Sequence, residues 1–551
     1  MYSVIEGVTF VITLEKEIYN DMIVKEASPN SETGFSFEAN LSVDRNSFWH
    51  FIVGNPSNRL FLGLSILVTV IQFLVFKYYY PFAGYINGDS YVYLETAYHN
   101  LNINTYPIGY SKFLRLFSVF TRSDYALVAV QYLFLQTSFF ALVFTLFFFY
   151  NPKKVTRVLL LGSMILNPVS LYLANYISSD CFFLSLSIVW FTQLLWTVYR
   201  PTNRLIFFNA LILFIAFTVR YNALYYPIIA LIALVLSRDK LLMKALGICL
   251  GIGLIVCFVL FTSNEYKKLS GKSQFSPFTG WQMANNALYA YRFVDSTHHK
   301  KVPSKLKELD DMVRNYFDTT RDVQKNPQEK MIASTVYMWD PRSPLTIYMD
   351  RKFKTDSTAS TLKKWAAVAP TLSEYGSFLV HQYPVEFTKY YIIPNALKYY
   401  CPPVEFLETY STGVDSVNYI AQAWFGYKDN KVRSRFKDFK VNVLNFYPII
   451  VGIMNVVLLF SLISFFLLKG YRQFPFIKSG LILATSLWII NFGFSVLASP
   501  IALRFQLFPI IVSFVFTVLL IEIIFRLAAK GDEDAVMTKD PEIVEEYRDS
   551  I

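Results

Sequence analysis

The sequence predicts an all-α polytopic membrane protein with about ten transmembrane helices and an extracytoplasmic, mainly helical domain. Two observations support this prediction. Apolar runs recur along the chain at the length of about 17–25 residues that a helix needs to cross a bilayer. The chain as a whole is 54% apolar and 18% aromatic, beyond what soluble domains reach. The runs are continuous rather than alternating, which favours helices over a closed barrel.

Ten apolar segments fit transmembrane spans. They cover residues 60–82, 124–150, 156–176, 179–199, 204–219, 221–237, 241–263, 442–469, 476–498 and 501–526. The fifth and sixth segments are short and are separated only by Arg220. We keep them as two spans because a single span would break the alternation of basic loops after Arg200.

Basic residues in the short loops orient the chain. If the N-terminus is cytoplasmic, every short inner loop carries lysine or arginine: Lys153, Lys154, Arg157, Arg200, Arg204, Arg238, Lys240, Lys244, Lys469, Arg472 and Lys478. This pattern obeys the positive-inside rule and makes both termini cytoplasmic. Lysine-rich loops without a retention signal favour a bacterial inner membrane with a periplasmic outer face. The net charge of +11 then belongs to loops, so no nucleic-acid partner is expected.

The spans divide the chain into five parts. These are a cytoplasmic N-terminal segment (1–59), a transmembrane catalytic core of about seven helices (60–263) with a first outer loop (83–123), an extracytoplasmic domain (264–441), C-terminal transmembrane helices (442–526) and an acidic cytoplasmic tail (527–551). Within the first part, the stretch VTFVITLE favours a strand.

Five polar residues lie at the ends of apolar segments, and the predicted topology places all of them on the outer face: Asp89, Asp180, Arg220, Asn222 and Arg504. Each has an ordinary alternative. The two aspartates could be N-caps, and the arginines could be anchors that reach the interface. Independent caps and anchors would spread over both faces. Their shared face, next to the one large extramembrane block, favours a site.

The residue types also point to chemistry. A carboxylate beside the membrane, such as Asp89, can act as a general base when it is partly desolvated. Arg220 separates two apolar stretches and has little loop through which to reach water, so it should face protein or a polar ligand. The planar fork of a guanidinium suits a phosphate, and Arg504 near the start of the last span is equally well placed for one.

These residues stand in short motifs that resemble the GT-C superfamily of integral-membrane glycosyltransferases, which includes protein mannosyltransferases and bacterial aminoarabinose transferases. The matching residues are Asp89, Tyr106, Pro107, Asp180, Arg220, Tyr221, Asn222, Pro227, Arg504, Phe505 and Pro509. The resemblance covers residues 60–263 and, weakly, 440–526. The acidic pair usual in the first outer loop of the family is replaced here by Asp89-Ser90.

The resemblance implies transfer of a sugar, with inversion, from a polyprenyl-phosphate donor to a glycan, lipid or protein acceptor at the outer face. Asp89 would be the general base, and Arg220 and Arg504 would hold the donor phosphate. Supporting residues would be Asp180, Tyr106, Tyr221 and Asn222. A cofactor is not required, although a divalent metal ion, if one is bound, would be held by Asp89 and Asp180. No nucleotide-binding motif is present, in agreement with a lipid-linked donor.

Two other functions compete with this one. A transporter or flippase of a lipid-linked or anionic substrate would also need charged residues within the membrane, but it would place them near the midplane and in two repeated halves. An enzyme like an O-antigen polymerase or ligase would also use arginines in outer loops. The glycosyltransferase interpretation further expects the polar residues to converge around Asp89 and to line a cavity that opens at the outer face.

Overall fold

The computed structural model describes residues 47–539 except Arg321, Lys437 and Ser499, with side chains described up to residue 529. The predicted strand at VTFVITLE, most of the segment 1–59 and the end of the tail 527–551 lie outside the described residues. Regular structure in the described part is helical, and sheet-like pairing is limited to isolated bridges such as Gly84 with Tyr176.

Residues 47–270 contain helices α1 to α11. In order, these are Phe48–Gly54, Pro56–Tyr79, Asp89–Tyr98, Gly109–Ser118, Asp124–Tyr150, Lys154–Ile165, Pro168–Asn175, Ser179–Tyr199, Asn203–Val219, Tyr226–Leu236 and Leu241–Ser270. The predicted span 156–176 is interrupted at Asn167 because Pro168 cannot donate a backbone hydrogen bond to continue α6. Asn167 instead caps α7 by accepting from the amide of Val169 at 3.1 Å.

The following residues form α12 to α19. These are Pro277–Tyr291, Lys307–Thr320, Val336–Trp339, Pro344–Lys352, Thr361–Gln382, Pro384–Phe387, Ile393–Tyr400 and Tyr419–Phe425. Short 3-10 turns and one π-helical turn, Thr388–Ile392, link them. The last helices, α20 to α23, are Tyr447–Leu467, Gly470–Gln473, Pro475–Ala498 and Leu503–Lys539.

Within the described residues, eight helical segments are long and apolar enough to cross a membrane, as expected of a helical membrane protein. They are Pro56–Tyr79, Asp124–Tyr150, Lys154–Asn175, Ser179–Tyr199, Leu241–Ser270, Asn442–Leu467, Pro475–Ala498 and Leu503–Ala529. The fifth and sixth predicted spans coincide with two shorter apolar helices, Asn203–Val219 and Tyr221–Leu236. Ten crossings therefore stay a prediction.

Two helix ends differ from the predicted boundaries. Helices α1 and the start of α2 fall within the segment 1–59, because Asn55 caps a helix that begins with Pro56, four residues before the predicted span. At the other end, α23 continues to Lys539, into the residues predicted as an acidic tail. Polar composition alone did not reveal that the last membrane helix carries on past its apolar part.

The block predicted as one extracytoplasmic domain, 264–441, divides between two hydrophobic cores. Buried side chains between Trp281 and Tyr391 form a core of their own, which we call the outer core. In contrast, buried side chains between Val404 and Leu444 pack on the core of the membrane helices. The second part of the block is therefore continuous with the membrane helices and can help to position a site there.

The outer core is built on a very close crossing of α12 and α16. A methyl group added at Gly376 would stand 2.6 Å from the carbonyl of Met283, and one added at Gly280 would meet the carbonyl of Ala369. Backbone atoms cannot move aside as a flexible side chain can. The two glycines are therefore what allows these helices to approach so closely.

We expect Gly376→Ala to destabilise the outer core by about 1–3 kcal/mol, because overpacking forces the two backbones apart. The thermal midpoint of the purified protein, and the rate at which protease cleaves between residues 277 and 391, would report this. Gly253→Ala is the matched control, since its added methyl group meets nothing within 4 Å in the middle of α11. Equal midpoints for the two variants would contradict the close-crossing argument.

Candidate active site

Four of the predicted polar residues lie at helix ends that meet at one end of the bundle. Asp89 is the first residue of α3, Asp180 is the second residue of α8, Arg220 follows α9 directly and Arg504 is the second residue of α23. We call these four residues the ion cluster. Although Asp89 and Arg504 are 415 positions apart in the sequence, their side chains are in direct contact.

Arg504 bridges the two carboxylates. Its Nη1 donates to Oδ2 of Asp180 at 3.1 Å, and its Nη2 donates to Oδ2 of Asp89 at 2.9 Å. Arg220 donates through Nη1 to the other oxygen of Asp180. The four side chains thus form one chain of ion pairs in which positive and negative charges balance.

Neither aspartate caps its own helix. The N-cap of α3 is Gly88, at φ +83°, a left-handed conformation that glycine adopts without strain. The N-cap of α8 is Ser178, whose hydroxyl also donates to Oδ2 of Asp180 at 3.0 Å. Both carboxylates lie in the first turn of a helix, where the helix dipole favours negative charge. The N-cap alternative therefore explains neither residue.

Burial divides the ion cluster into an inner and an outer pair. The side chains of Asp180 and Arg504 are 1% and 5% exposed, whereas those of Arg220 and Asp89 are 17% and 21% exposed. A ligand that approaches the cluster therefore meets one carboxylate and one guanidinium. Behind them lies a fully buried ion pair that holds both in place.

The loop that presents Asp89 is fixed by the chain around residues 410–413. The amide of Tyr85 donates to Ser411 Oγ at 3.2 Å, and the amide of Asn87 donates to Thr412 Oγ1 at 3.1 Å. Ser411 and Thr412 both have positive φ, at 47° and 56°. Such a conformation is an outlier for a β-branched residue, and it is maintained here by the contacts that position the Asp89 loop.

Tyr106 joins the cluster, as the sequence predicts. Its hydroxyl donates to Oδ1 of Asp89 at 2.8 Å, on the opposite carboxylate oxygen from the one that Arg504 contacts. Burial and the neighbouring carboxylate raise the pKa of the Tyr106 phenol well above its ordinary value. The phenol therefore stays protonated at neutral pH and can go on donating to Asp89.

Tyr221 and Asn222 are not part of the polar contacts. The ring of Tyr221 packs 4.5 Å from that of Phe275, and Asn222 makes no side-chain hydrogen bond to any described residue of the ion cluster. They belong to a 3-10 turn, Tyr221–Tyr225, that directly follows Arg220. Tyr221 and Phe275 both pack on the core of the membrane helices rather than on the charges.

Aromatic rings enclose both guanidiniums. The ring of Phe505 lies 4.5 Å from the guanidinium carbon of Arg504 and 4.7 Å from that of Arg220. Phe406 covers Arg504 from another side, also at 4.5 Å. These rings attract the cations and keep water from them. Phe406 has φ 64°, which is rare for a bulky residue and marks a backbone held in place by its surroundings.

Phe406 was not predicted, and neither was its neighbour Glu405. Burial raises the pKa of Glu405, which lies 3.7 Å from Lys398 and near Arg504. Both residues lie in a segment that has no apolar period or motif. A backbone hydrogen bond from Leu503 to Pro403, at 2.8 Å, and the packing of Phe406 on Arg504 hold this segment against the start of α23. No signal in the sequence foretells that contact.

The arrangement does not fit a divalent cation between Asp89 and Asp180. The guanidinium of Arg504 already stands between the two carboxylates and donates to both. Among residues 47–529 that the structure describes, no group of three or more acidic, histidine or cysteine side chains is placed to hold a metal. No step of the proposed chemistry is therefore assigned to a metal at this position.

Two cavities lie in the described part of the structure, and neither is lined by Asp89, around which a cavity was expected. An apolar groove of about 420 Å³, counting its open mouth, lies instead between α8, α9, α10 and α11, and is lined in part by Leu194, Ile206, Leu213, Ala230, Gly247 and Gly251. A smaller one lies beside Trp488 and Gln506.

The chain was also compared with known proteins. No family model, curated protein or solved structure matches it. The assignment of function therefore depends on the chemistry of the ion cluster and on its place at one end of the membrane helices.

Proposed function

We propose that the protein transfers a sugar from a polyprenyl-phosphate donor to an acceptor at the outer face of the membrane. The observation that supports this is the convergence of a partly exposed carboxylate, Asp89, with a partly exposed guanidinium, Arg220, through a buried ion pair. Such a pair can take a proton on one side and hold a phosphate on the other. With the ten predicted crossings and the basic loops inside, this end of the bundle would face the periplasm.

In the proposed reaction, the acceptor hydroxyl gives its proton to Asp89 while its oxygen attacks the anomeric carbon of the donor. The bond from that carbon to the phosphate oxygen breaks, and polyprenyl phosphate leaves from the opposite face with its bonding electrons, so the configuration inverts. Each oxygen of Asp89 already accepts one hydrogen bond, from Tyr106 or Arg504, but has a second lone pair for the incoming proton.

The contacts favour different roles for the two arginines. Both terminal nitrogens of Arg504 donate to carboxylates. In the more exposed Arg220, only Nη1 donates to a carboxylate, that of Asp180. Arg220 thus has N–H groups left for a phosphate, which gains most from fixed cationic partners in a water-poor site. We assign the leaving phosphate to Arg220 and assign the positioning of Asp89 to Arg504.

The test uses the full chain reconstituted in lipid vesicles with a radiolabelled polyprenyl-phosphate hexose. Formation of a labelled product with inverted anomeric configuration, together with free polyprenyl phosphate, supports the proposal. Movement of the labelled lipid between leaflets without product would overturn it in favour of a flippase. Joining of preformed glycan chains without use of the monosaccharide donor would instead indicate a polymerase or ligase.

For Arg220→Ala we expect the KM for the donor to rise about 10- to 100-fold, the loss typical of charge-assisted bonds to a phosphate. The stability of Arg220→Ala should fall less than that of a variant at Arg504, because Asp180 still accepts a hydrogen bond from Arg504. Donor titrations and thermal midpoints measure the two effects separately. Arg433→Ala, which breaks an exposed ion pair with Asp415, is the control. A fall in stability without any change in KM would make Arg220 an anchor.

A further inference from the structure

An exposed tryptophan stands at the rim of the outer core. The side chain of Trp339 is 45% exposed, yet one face of its ring is stacked on the buried Trp365, with centroids 6.1 Å apart and planes at 10°. Trp365 is in turn stacked on Trp281 at 5.3 Å and 12°. The two parallel rings beneath it thus hold the exposed ring of Trp339 in one position. Because this side chain is already ordered, it loses little conformational entropy when a ligand binds to it.

Trp339 is also close to Asp89. Its ring centroid lies 6.4 Å from that of Tyr106, whose hydroxyl contacts Oδ1 of Asp89 at 2.8 Å. The ring of Phe278 fills the angle between them, at 6.2 Å from Trp339 and 6.4 Å from Tyr106. Trp339 therefore lies beside the residue that contacts Oδ1 of Asp89, whereas Arg504 contacts the other oxygen, Oδ2.

We propose that Trp339 is the platform of an acceptor subsite and that the acceptor is a saccharide whose pyranose ring stacks on it. This inference rests on the proposed function, since it takes Asp89 as the base and the arginine side as the donor side. A pyranose presents one face of C–H groups, which carry partial positive charge and suit the negative face of an indole. Its hydroxyls need polar partners at the ring edge.

Such partners follow Trp339 directly in the chain. Arg342 donates to both oxygens of Asp340, at 3.1 and 2.9 Å, and its side chain is 71% exposed. An exposed flat ring that is followed in the chain by an exposed planar ion pair suits a ligand that is apolar on its face and polar around its edge. An alkyl chain would use the ring but would leave the ion pair facing hydrocarbon, so a saccharide fits better than a lipid acceptor.

The test measures saccharide binding on the full chain in nanodiscs by saturation-transfer NMR, with methyl glycosides of glucose, galactose, mannose and N-acetylglucosamine as probes. We expect transfer to the C–H face of at least one probe. Trp339→Ala should weaken that binding about three- to tenfold, and Trp339→Phe should restore much of it. Phe293→Ala is the matched control, since Phe293 is a 51% exposed ring that stacks on Tyr390 at 4.1 Å within the same unit.

Unchanged binding in Trp339→Ala would overturn the inference, and so would the absence of binding by every probe. Tryptophans also anchor proteins at membrane interfaces. The emission of Trp339 is the fluorescence that the natural protein has and Trp339→Phe lacks. If brominated lipids quench this emission, the ring faces lipid and the inference fails. The failures can be told apart. Sugar transfer by the natural protein with an unchanged acceptor KM in Trp339→Ala rejects only the subsite, whereas the absence of any transfer by the natural protein rejects the proposed function.

Discussion

Asp89→Asn is expected to reduce sugar transfer by about 10²–10⁴-fold, the usual contribution of a general base, while the protein still inserts and folds. An amide cannot take up the proton of the acceptor hydroxyl. Its oxygen can still accept from Tyr106 or Arg504, which contact the two carboxylate oxygens at 2.8 and 2.9 Å. Because Asp89 is the most exposed member of the ion cluster, the substitution leaves only a modest electrostatic imbalance.

The measurement is single-turnover transfer in vesicles, which separates the chemical step from donor binding. Asp415→Asn is the control, since Asp415 is another partly exposed aspartate paired with an arginine, Arg433, at 3.1 Å. Full transfer by Asp89→Asn would remove Asp89 as the base. Loss of transfer accompanied by loss of folded protein would show that its bond to Arg504 is structural.

Periodicity and charge predicted most of the helical architecture, because both signals are local. A membrane helix needs a long apolar run, and a basic inner loop lies within a few residues of its ends. The same reasoning fails where a local signal is missing. It separated α9 from α10 at Arg220 correctly, but it did not show that α23 continues into polar sequence as far as Lys539.

The sequence predicted which residues form the candidate site but not which of them contact each other. The shared membrane face of Asp89, Asp180, Arg220 and Arg504 follows from topology, and the structure brings these residues into contact. That Arg504 lies between the carboxylates cannot be read from the sequence, since it depends on packing between α3, α8 and α23. Membership of a motif does not imply contact either. Asn222 lies two residues from Arg220 but makes no side-chain hydrogen bond to the ion cluster.

Trp339 marks a second limit. Sequence alone offers no reason to prefer it among eight tryptophans. Its exposure has meaning only because Trp365 and Trp281 support it and Tyr106 lies beside it. A site assembled between the outer core and the membrane helices uses residues from segments that carry no common pattern. The structure alone connects them.

Arg504→Gln is expected to destabilise the protein by about 3–5 kcal/mol, because it removes one of the two arginine partners of a buried carboxylate. Asp180 is 1% exposed and would retain Arg220, but the charge of the cluster would no longer balance. The resemblance, which implies that Arg504 holds the donor phosphate, predicts instead that donor binding is weakened more than folding is harmed. Thermal unfolding of the purified protein, measured beside a donor titration, separates the two.

A second substitution makes this test specific. If the cost arises from the unpaired carboxylate, adding Asp180→Asn to Arg504→Gln should recover part of the lost stability, since the double variant buries neither charge. The stability of Arg504→Lys should lie between those of the natural protein and Arg504→Gln. A lysine keeps the positive charge, but its ammonium lacks the planar fork that reaches Asp89 and Asp180 together. If Arg504→Gln unfolds at the same temperature as the natural protein and only the donor KM rises, Arg504 holds the phosphate and the bridge between the carboxylates opens when the donor binds.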